Sequence, residues 1–284
     1  MNIQLLFNTL KLSVQKRLGT SNNQNSFEKW RAKGYIFEPE VSFVIQSHNK
    51  SLQVCHIVSK LRQMPNAEII VIDDGSENVH TKRLTSFLTK ANEFLIRAND
   101  LFEIITYDRA IRFANAKYVV LLQDDDDFDN LEWVEKGLTL MEKYSDMVIL
   151  GGKDGVNPLF TNGRISECTN AIIKDKTFCF VPAIDRAPQW INKNIFLEHL
   201  HHIDQSFAPF QFDDFELCLR AWSIGYKVGW YNANFHSLSA GGMRLYNGAF
   251  TGEQCKKNGQ KLFDLYSNHM NDILSLVSQA NKTI

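Results

Sequence analysis

Three apolar runs in the first half of the chain each end abruptly in a cluster of polar residues. The runs VSFVIQ, EIIVI and YVVLL occupy residues 41–46, 68–72 and 118–122. The polar clusters at their ends are QSHN at residues 46–49, DDGS at residues 73–76 and the aspartate run at residues 124–127. Continuous apolar strands that alternate with helical segments are typical of a mainly parallel sheet covered on both faces. In such α/β sheets, ligands bind beyond the carboxyl ends of the strands. The sequence therefore predicts an α/β fold in which the three polar clusters line one pocket.

The remaining segments supply helices and further strands. The segment DDFELCLRAWSIGY, at residues 213–226, has an acidic start and Gly225 near its end, which are both typical of a helix. Apolar periodicity predicts two more helices, at residues 51–64 and 253–277, and one that precedes YVVLL. Additional strands are predicted at residues 93–97, 146–150, 178–182 and 226–231.

The third polar cluster contains four adjacent aspartates, Asp124 to Asp127. Two like charges about 4 Å apart repel by roughly 1 kcal/mol in water and about 4 kcal/mol near a protein surface. One interpretation is a solvated acidic turn in which Asp127 or Asp129 caps the next helix. The other is a site for a divalent cation, because Mg²⁺ and Mn²⁺ prefer carboxylate oxygen ligands. The aspartate run alone fits both interpretations.

Charge and cysteine content exclude several classes of protein. The chain has 31 Lys and Arg residues against 32 Asp and Glu residues, and no nucleic-acid-binding signature stands out, so we expect no nucleic-acid partner. Its five cysteines are scattered and contain no C-x-x-C pair, which argues against a disulfide or zinc framework. Reduced thiols of this kind indicate a cytoplasmic protein. The sequence does not indicate an oligomeric state.

The first residues predict a short basic amphipathic helix rather than a signal peptide. In residues 1–18, the basic residues Lys11, Lys16 and Arg17 follow the apolar stretch instead of preceding it. No run approaches the roughly 20 apolar residues that a membrane span requires. We expect this helix to pack against its own domain, and peripheral contact with a membrane surface is the alternative. The polar stretch at residues 20–26 predicts a linker.

Four segments in this order resemble the family 2 glycosyltransferases, which share the nucleotide-sugar-binding GT-A fold. The segments are VSFVIQSHN, EIIVIDDGS, YDRAIRFANAKYVVLLQDDDD and DDFELCLRAWSIGYKV, and the resemblance runs from Val41 to His236. The fold class that the resemblance implies is a Rossmann-like, mainly parallel central sheet flanked by helices, with an irregular acceptor-side half.

The resemblance also implies a domain organisation. A GT-A domain is expected over residues 38–250, with its nucleotide-sugar-binding half at 38–150 and its acceptor half at 151–250. Residues 1–37 are expected to form the N-terminal helix and linker, and residues 251–284 a C-terminal helix.

The activity implied by the resemblance is sugar transfer from a nucleotide-diphosphate sugar to an acceptor hydroxyl, with inversion at the anomeric carbon. A UDP-sugar is the favoured donor, and a glycan or another hydroxyl compound is the acceptor. A divalent ion, Mn²⁺ or Mg²⁺, would neutralise the leaving diphosphate. Its implied ligands are Asp126 and His236, with Asp124 as a further candidate. The register of the D-x-D motif stays open by one residue, because Asp125 and Asp127 form a second D-x-D.

The remaining implied roles concern the base and the donor. Asp214 matches the family's catalytic carboxylate, and the positive end of its helix would stabilise the ionised form by about 0.3–1 kcal/mol. The Glu-Asp pair usual in the family appears here as Asp213-Asp214, and capping of the helix is the ordinary role for an acidic residue at position 213. The donor-binding residues implied by the resemblance are Gln46, His48, Asn49, Asp73, Asp74, Arg109, Asp124 and Asp125.

Two departures from the family pattern keep other functions open. His48 stands where family members commonly carry Tyr, and Tyr107-Asp108-Arg109-Ala110 replaces a segment with Arg-Asn and Gly. A degenerate GT-A domain that binds without catalysing is therefore one alternative. A metal-dependent nucleotidyltransferase is the other, since such enzymes also use paired aspartates on an α/β sheet.

Overall fold

The computed structural model of this chain describes residues 38–170, 176–237 and 248–284, together with Val14, Glu28 and Lys29. The helix expected over residues 1–18 and the linker that follows it therefore lie almost entirely outside the described residues. No helix in the described part of the chain is long and apolar enough to cross a membrane.

The described residues form an α/β fold. Its strands are β1 (Val41–Ser47), β2 (Ala67–Asp74), β3 (Glu93–Ala98), β4 (Tyr118–Leu122), β5 (Asp126–Asp127), β6 (Met147–Gly151), β7 (Gly155–Thr161), β8 (Arg164–Asn170), β9 (Phe178–Phe180), β10 (Ala183–Ile184), β11 (Gln189–Asn192), β12 (Lys227–Tyr231) and β13 (His236–Ser237). Its longer helices are α1 (Ser51–Leu61), α2 (Asn78–Phe87), α3 (Phe102–Phe113), α4 (Glu132–Lys143), α5 (Asp213–Ser223), α6 (Gly248–Tyr266) and α7 (Met270–Asn281).

Eight of these strands form one mixed sheet of mostly parallel strands, in the order β3-β2-β1-β4-β11-β6-β12-β9. Strands β1 to β4 are parallel neighbours, as the apolar runs predict. All residues of β2 and β4 are buried, because helices cover both faces of the sheet. The carboxyl ends of β1, β2 and β4 therefore meet at one edge, which positions the three polar clusters.

Strand β11 lies in the middle of the sheet, antiparallel to both β4 and β6. The sequence analysis does not predict it. Its four residues, QWIN, are fully buried although Gln189 and Asn192 are polar, and Pro188 precedes them. A strand this short and this polar shows no alternation of apolar and polar residues from which it could be recognised in the sequence.

The hairpin of β7 and β8 is a second element that the sequence analysis does not predict. Its two-residue loop, Asn162-Gly163, has positive φ angles of 52° and 74°. Positive φ at both central residues is the requirement of a type I′ turn, for which Asn-Gly is the preferred sequence. The Asn-Gly pair was therefore the available signal for this hairpin.

The C-terminal segment differs from the single helix expected at residues 253–277. It contains two helices, α6 and α7, which are separated at residues 267–269. The separating residues Ser, Asn and His are weak helix formers. Helix α7 packs back on the domain through buried residues that include Ile273 and Val277.

Gly137 of α4 allows the helix to approach the sheet closely, and replacing it tests this packing. A Cβ atom at position 137 would lie 2.4 Å from Cζ2 of Trp190, a fully buried side chain. Because Trp190 Nε1 is held by a 3.0 Å hydrogen bond to Tyr231 Oη, the ring has little room to move. We expect Gly137→Ala to lower the free energy of unfolding by about 1–3 kcal/mol, measured by urea denaturation.

Gly252→Ala is the matched control, since Gly252 also lies within a helix. A Cβ atom there meets no described atom within 4 Å, so the substitution should stabilise the protein by up to about 1 kcal/mol through helix propensity. Equal effects of the two substitutions would contradict the packing of α4 against Trp190.

Candidate functional site

The three polar clusters meet through His48, which follows β1. Its backbone N–H donates a 2.9 Å hydrogen bond to Asp124 Oδ2, and its ring Nδ1 lies 2.6 Å from the carbonyl oxygen of Asp74. Since a carbonyl oxygen only accepts, Nδ1 carries the proton in this contact. One residue thus joins the ends of β1, β2 and β4, and the predicted juxtaposition of the clusters is confirmed.

Asn49 strengthens the same junction. Its backbone N–H donates to Ser76 Oγ at 2.8 Å, and its side-chain Oδ1 accepts from the backbone N–H of Glu77 at 2.8 Å. Its φ of 59° lies in the left-handed region, which Asn tolerates better than most residues. In this structure Asn49 therefore holds the loop after β1 against the loop after β2.

Asp73 and Asp74 at the end of β2 are both buried but have different partners. The Asp74 carboxylate accepts backbone N–H groups from Leu101 at 2.9 Å and Phe102 at 2.7 Å, and so fixes the start of α3. Gln46 lies near the same carboxylate, with Nε2 at 3.5 Å from Oδ2. Asp74 and Gln46 thus form part of the wall of the site.

Only one carboxylate oxygen of Asp73 has a hydrogen-bond partner among the described residues. Its Oδ2 accepts a 2.7 Å hydrogen bond from Thr81 Oγ1, whereas its buried Oδ1 has no partner among the described residues. Ser47 is its neighbour across the β1–β2 ladder, and Ser47 Oγ is likewise buried without a described partner. Buried polar groups are normally hydrogen-bonded, so this unsatisfied pair marks a place where a ligand can supply the partner.

Asp124, Asp125 and Asp126 are all buried, with exposed fractions of 8%, 6% and 1%. Burial raises the pKa of Asp124 to about 6, against the opposing effect of the His48 N–H and the Lys50 ammonium. Burial raises the pKa of Asp126 to about 7, opposed by a 2.7 Å hydrogen bond from the Gln123 N–H. Three desolvated carboxylates at one strand end are inconsistent with a solvated acidic turn.

Asp127 differs from the other three because it contacts basic side chains. Lys60 Nζ lies 2.6 Å from its Oδ1, and His56 Nε2 lies 3.2 Å from the same oxygen. Partial burial acts to raise the pKa of Asp127, but Lys60, the Phe128 N–H and His56 together hold it below its ordinary value. Asp127 therefore belongs to an ion-pair cluster beside the site.

His236 pairs with Asp127 across the β5–β13 ladder. Its Nε2 lies 3.4 Å from Asp127 Oδ2, and the side chain is exposed. Within the described ranges, no group of three or more His, Cys, Asp or Glu side chains is arranged to hold a metal ion. The chemistry of the buried carboxylates Asp124 and Asp126 nevertheless fits a hard cation, because a divalent charge would offset both their desolvation and their mutual repulsion.

The C-terminal half of the fold contributes Asp213 and Asp214, at the start of α5. Phe212 occupies the N-cap position without a side-chain cap, so Asp213 does not have the capping role considered for it. Asp213 is instead 1% exposed and accepts a 2.5 Å hydrogen bond from Arg186 Nη2. Burial and then the Asp213 carboxylate raise the pKa of Asp214, and the Arg186 guanidinium opposes them.

Arg186 is the residue of this site that the sequence analysis missed. It lies in the loop between β10 and β11, is 7% exposed, and its guanidinium stacks 4.7 Å from the centre of the Tyr107 ring. The available signal was an arginine within an otherwise weakly charged segment, VPAIDRAPQWI, at residues 181–191. Such a position is unfavourable for Arg unless buried carboxylates surround it.

Arg109 is not brought to the strand ends. Its side chain is on the exposed face of α3, two residues and therefore roughly 200° around the helix from the buried Tyr107. Tyr107, on the buried face of α3, does reach the site, because its Oη donates a 2.8 Å hydrogen bond to the carbonyl oxygen of Leu122, the last residue of β4.

Comparison with known proteins agrees with this geometry. A sequence profile described as glycosyl transferase family 2 matches residues 42–217. No curated protein sequence gives a significant match.

Several solved structures have a similar fold. GalNAc-T7, solved with UDP, GalNAc and Mn²⁺, has a TM-score of 0.56 at 17% identity over 68% of this chain. The mannosyltransferase PcManGT from Pyrobaculum calidifontis, solved with GDP-Man and Mn²⁺, has a TM-score of 0.53 at 13% identity over 76% of this chain. TarS 1-349 from S. aureus in complex with UDP-GlcNAc has a TM-score of 0.51 at 12% identity over 73%. The matches cover 42%, 61% and 60% of those chains, so this chain spans about two-fifths to three-fifths of their length.

The pKa of Asp126 predicts how stability depends on pH in the presence of EDTA. With a folded-state pKa of about 7 and an unfolded value near about 3.9, the folded state binds more protons between these values, so stability falls as pH rises through this window. Asp126→Asn retains an acceptor for the Gln123 N–H and removes the charge. We expect it to raise the free energy of unfolding by about 2–4 kcal/mol at pH 8, with a smaller gain at pH 5, measured by urea denaturation.

The control for this experiment is Asp129→Asn, because Asp129 is exposed. It should change stability by less than about 0.5 kcal/mol at either pH. A gain for Asp126→Asn that did not depend on pH would show that the buried charge is not its cause.

Proposed function

This chain belongs to the family 2 glycosyltransferases, and we propose that it transfers a sugar from a nucleotide-diphosphate sugar to an acceptor hydroxyl with inversion. The observation that carries the proposal is the junction at His48, which joins three strand ends beside three buried carboxylates. The solved transferases of similar fold contain UDP, GDP-Man or UDP-GlcNAc, which supports a nucleotide sugar as the donor.

The donor nucleoside would bind at the ends of β1 and β2. The unpartnered Asp73 Oδ1 and Ser47 Oγ are suited to accept an N–H and to exchange a hydrogen bond with the base or ribose. Gln46, His48, Asn49 and Asp74 would form the surrounding wall, since their side chains already contact one another or the neighbouring loops. Donor contact by Arg109 remains a prediction and requires its exposed side chain to act from outside this wall.

Asp124 and Asp126 would hold a divalent ion, Mn²⁺ or Mg²⁺, and Asp125 would lie beside the donor sugar. The engagement of Asp127 by Lys60 favours the Asp124–Asp126 register over Asp125–Asp127. When bound, such an ion neutralises charge that develops on the departing diphosphate. His236 could join this set only by leaving Asp127, which its exposed position allows.

Asp214 would act as the base. The acceptor hydroxyl oxygen attacks the anomeric carbon, the bond from that carbon to the diphosphate oxygen breaks, and the hydroxyl proton passes to the Asp214 carboxylate. A single displacement of this kind inverts the anomeric configuration. The raised pKa of Asp214 makes it a stronger base than an exposed aspartate, which suits proton abstraction.

A thermal-unfolding panel tests donor binding. UDP, GDP, dTDP and CDP are each added with Mn²⁺ and with EDTA, at about 100 times the dissociation constant. One nucleotide should raise the melting temperature by about 5–10 °C with Mn²⁺, and EDTA should abolish the rise. No shift with any nucleotide would favour a degenerate binding domain, and pyrophosphate release from a nucleoside triphosphate would favour a nucleotidyltransferase.

Substitution of Asp214 tests the assignment of the base. We expect Asp214→Asn to retain the nucleotide-dependent thermal shift and to lower the rate of sugar transfer by a factor of about 100 or more, measured with radiolabelled donor. Asp272→Asn is the matched control, since Asp272 is an exposed acid in the first turn of α7. Wild-type turnover in the Asp214 variant would remove Asp214 from the mechanism.

A further inference from the structure

Arg186 is surrounded by acidic side chains from two different helices. Its Nη2 lies 2.5 Å from Asp213 Oδ2 on α5, and its Nη1 lies 3.7 Å from Glu103 Oε2 on α3. Its backbone N–H donates to Asp214 Oδ2 at 3.4 Å. The residue therefore contacts both carboxylates at the start of α5, one through its side chain and the other through its main chain.

The orientation of the Arg186 guanidinium is fixed on its other sides. Nε donates a 3.0 Å hydrogen bond to Gln189 Oε1 at the start of β11, and the flat face stacks on Tyr107. Tyr107 in turn is held to the end of β4 by its bond to Leu122. A continuous set of contacts thus runs from the strand that precedes the aspartate run to the carboxylates of α5.

Removal of this guanidinium would leave the buried Asp213 and the half-buried Asp214 as adjacent carboxylates, with no positive charge among the contacts described for them. Three titratable or charged groups surround Asp214: Asp213 and Cys218 on its own helix, and Arg186 from the loop before β11. Glu103 and Tyr107 on α3 lie on the other side of Arg186 and interact with its guanidinium. Arg186 supplies the only positive charge of this set. A buried acid that loses its partner cation becomes protonated, since the uncompensated charge is too unfavourable to bury.

We infer that Arg186 is a positioning residue for Asp214: it neutralises Asp213 and fixes the start of α5, which favours the ionised form of Asp214 and directs its carboxylate to the acceptor. This inference rests on the proposed function only in that the proposed function supplies the acceptor toward which Asp214 is directed. The protonation equilibrium of Asp214 is a property of the free protein and can be measured without a substrate.

The test measures the ionisation of Asp214 directly. Protein labelled with ¹³C at the aspartate carboxyl carbons is titrated by NMR, and the Asp214 signal is assigned by its loss in Asp214→Asn. In Arg186→Gln we expect the Asp214 titration midpoint to move upward by about 1–3 pH units. In the double variant Arg186→Gln/Asp213→Asn, removal of the like charge should bring the midpoint back toward the wild-type value.

Two further variants separate charge from packing. Arg186→Lys keeps a positive charge near Asp213, although it cannot reproduce the planar fork of the guanidinium. Because the charge is kept, the Asp214 titration midpoint in this variant should stay within about 1 pH unit of the wild-type value. In assays of sugar transfer, kcat is measured as a function of pH. In Arg186→Gln, the acidic limb of this pH profile should move to higher pH, and the KM for the donor should not change. A purely structural role would instead lower kcat by the same factor at every pH.

An Asp214 midpoint that is the same in wild type and in folded Arg186→Gln would overturn the inference, whatever the activity. If Arg186→Gln fails to fold, the comparison of Arg186→Lys with Arg186→Lys/Asp213→Asn decides, and equal midpoints in those two proteins would also overturn it. Failure of the proposed function appears separately, as absence of sugar transfer in the wild-type protein.

Discussion

Burial of carboxylates at the carboxyl edge of the sheet is the constraint on which the rest of this structure depends. Asp73, Asp124, Asp126 and Asp213 are each at least nine-tenths buried, and they come from three segments that are far apart in the sequence. Each buried charge requires hydrogen bonds or an opposite charge to offset its desolvation. The backbone N–H groups of His48 and Gln123 and the side chains of Lys50 and Arg186 supply these contacts.

The two halves of the site meet this constraint in different ways. At the ends of β2 and β4, the compensation is incomplete: Asp126 retains a raised pKa, and Asp73 retains an unpartnered oxygen. At the start of α5, the Arg186 guanidinium lies against Asp213 and Glu103 and stacks on Tyr107, so Asp213 has its partner within the protein. A ligand can supply the missing partners at the strand ends, whereas the Asp213–Arg186 pair is complete without one.

The sequence predicts those parts of the fold that periodicity and strand order encode. Strands β1, β2 and β4 and helices α1 and α5 follow the predicted apolar patterns, and parallel neighbours place their polar ends together. The position of β11 was not predictable, because a short polar strand is buried only through its neighbours. Likewise, nothing local indicates that Asp127 contacts Lys60, or that Arg186 reaches across to α5, since these contacts join residues that are distant in the chain.

Strand β11 follows its neighbour β4 only after a long interval of sequence, and this has a consequence for the chain during its synthesis. Strand β4 ends at Leu122 and its outer neighbour begins at Gln189, 67 residues later (189 minus 122). Until those residues leave the ribosome, the four parallel strands β3, β2, β1 and β4 present an apolar strand with unpaired backbone groups at one side. Such an edge is a template for pairing with another chain. During translation of this interval the nascent chain therefore exposes such a template, and a chaperone bound to the β4 edge would shield it.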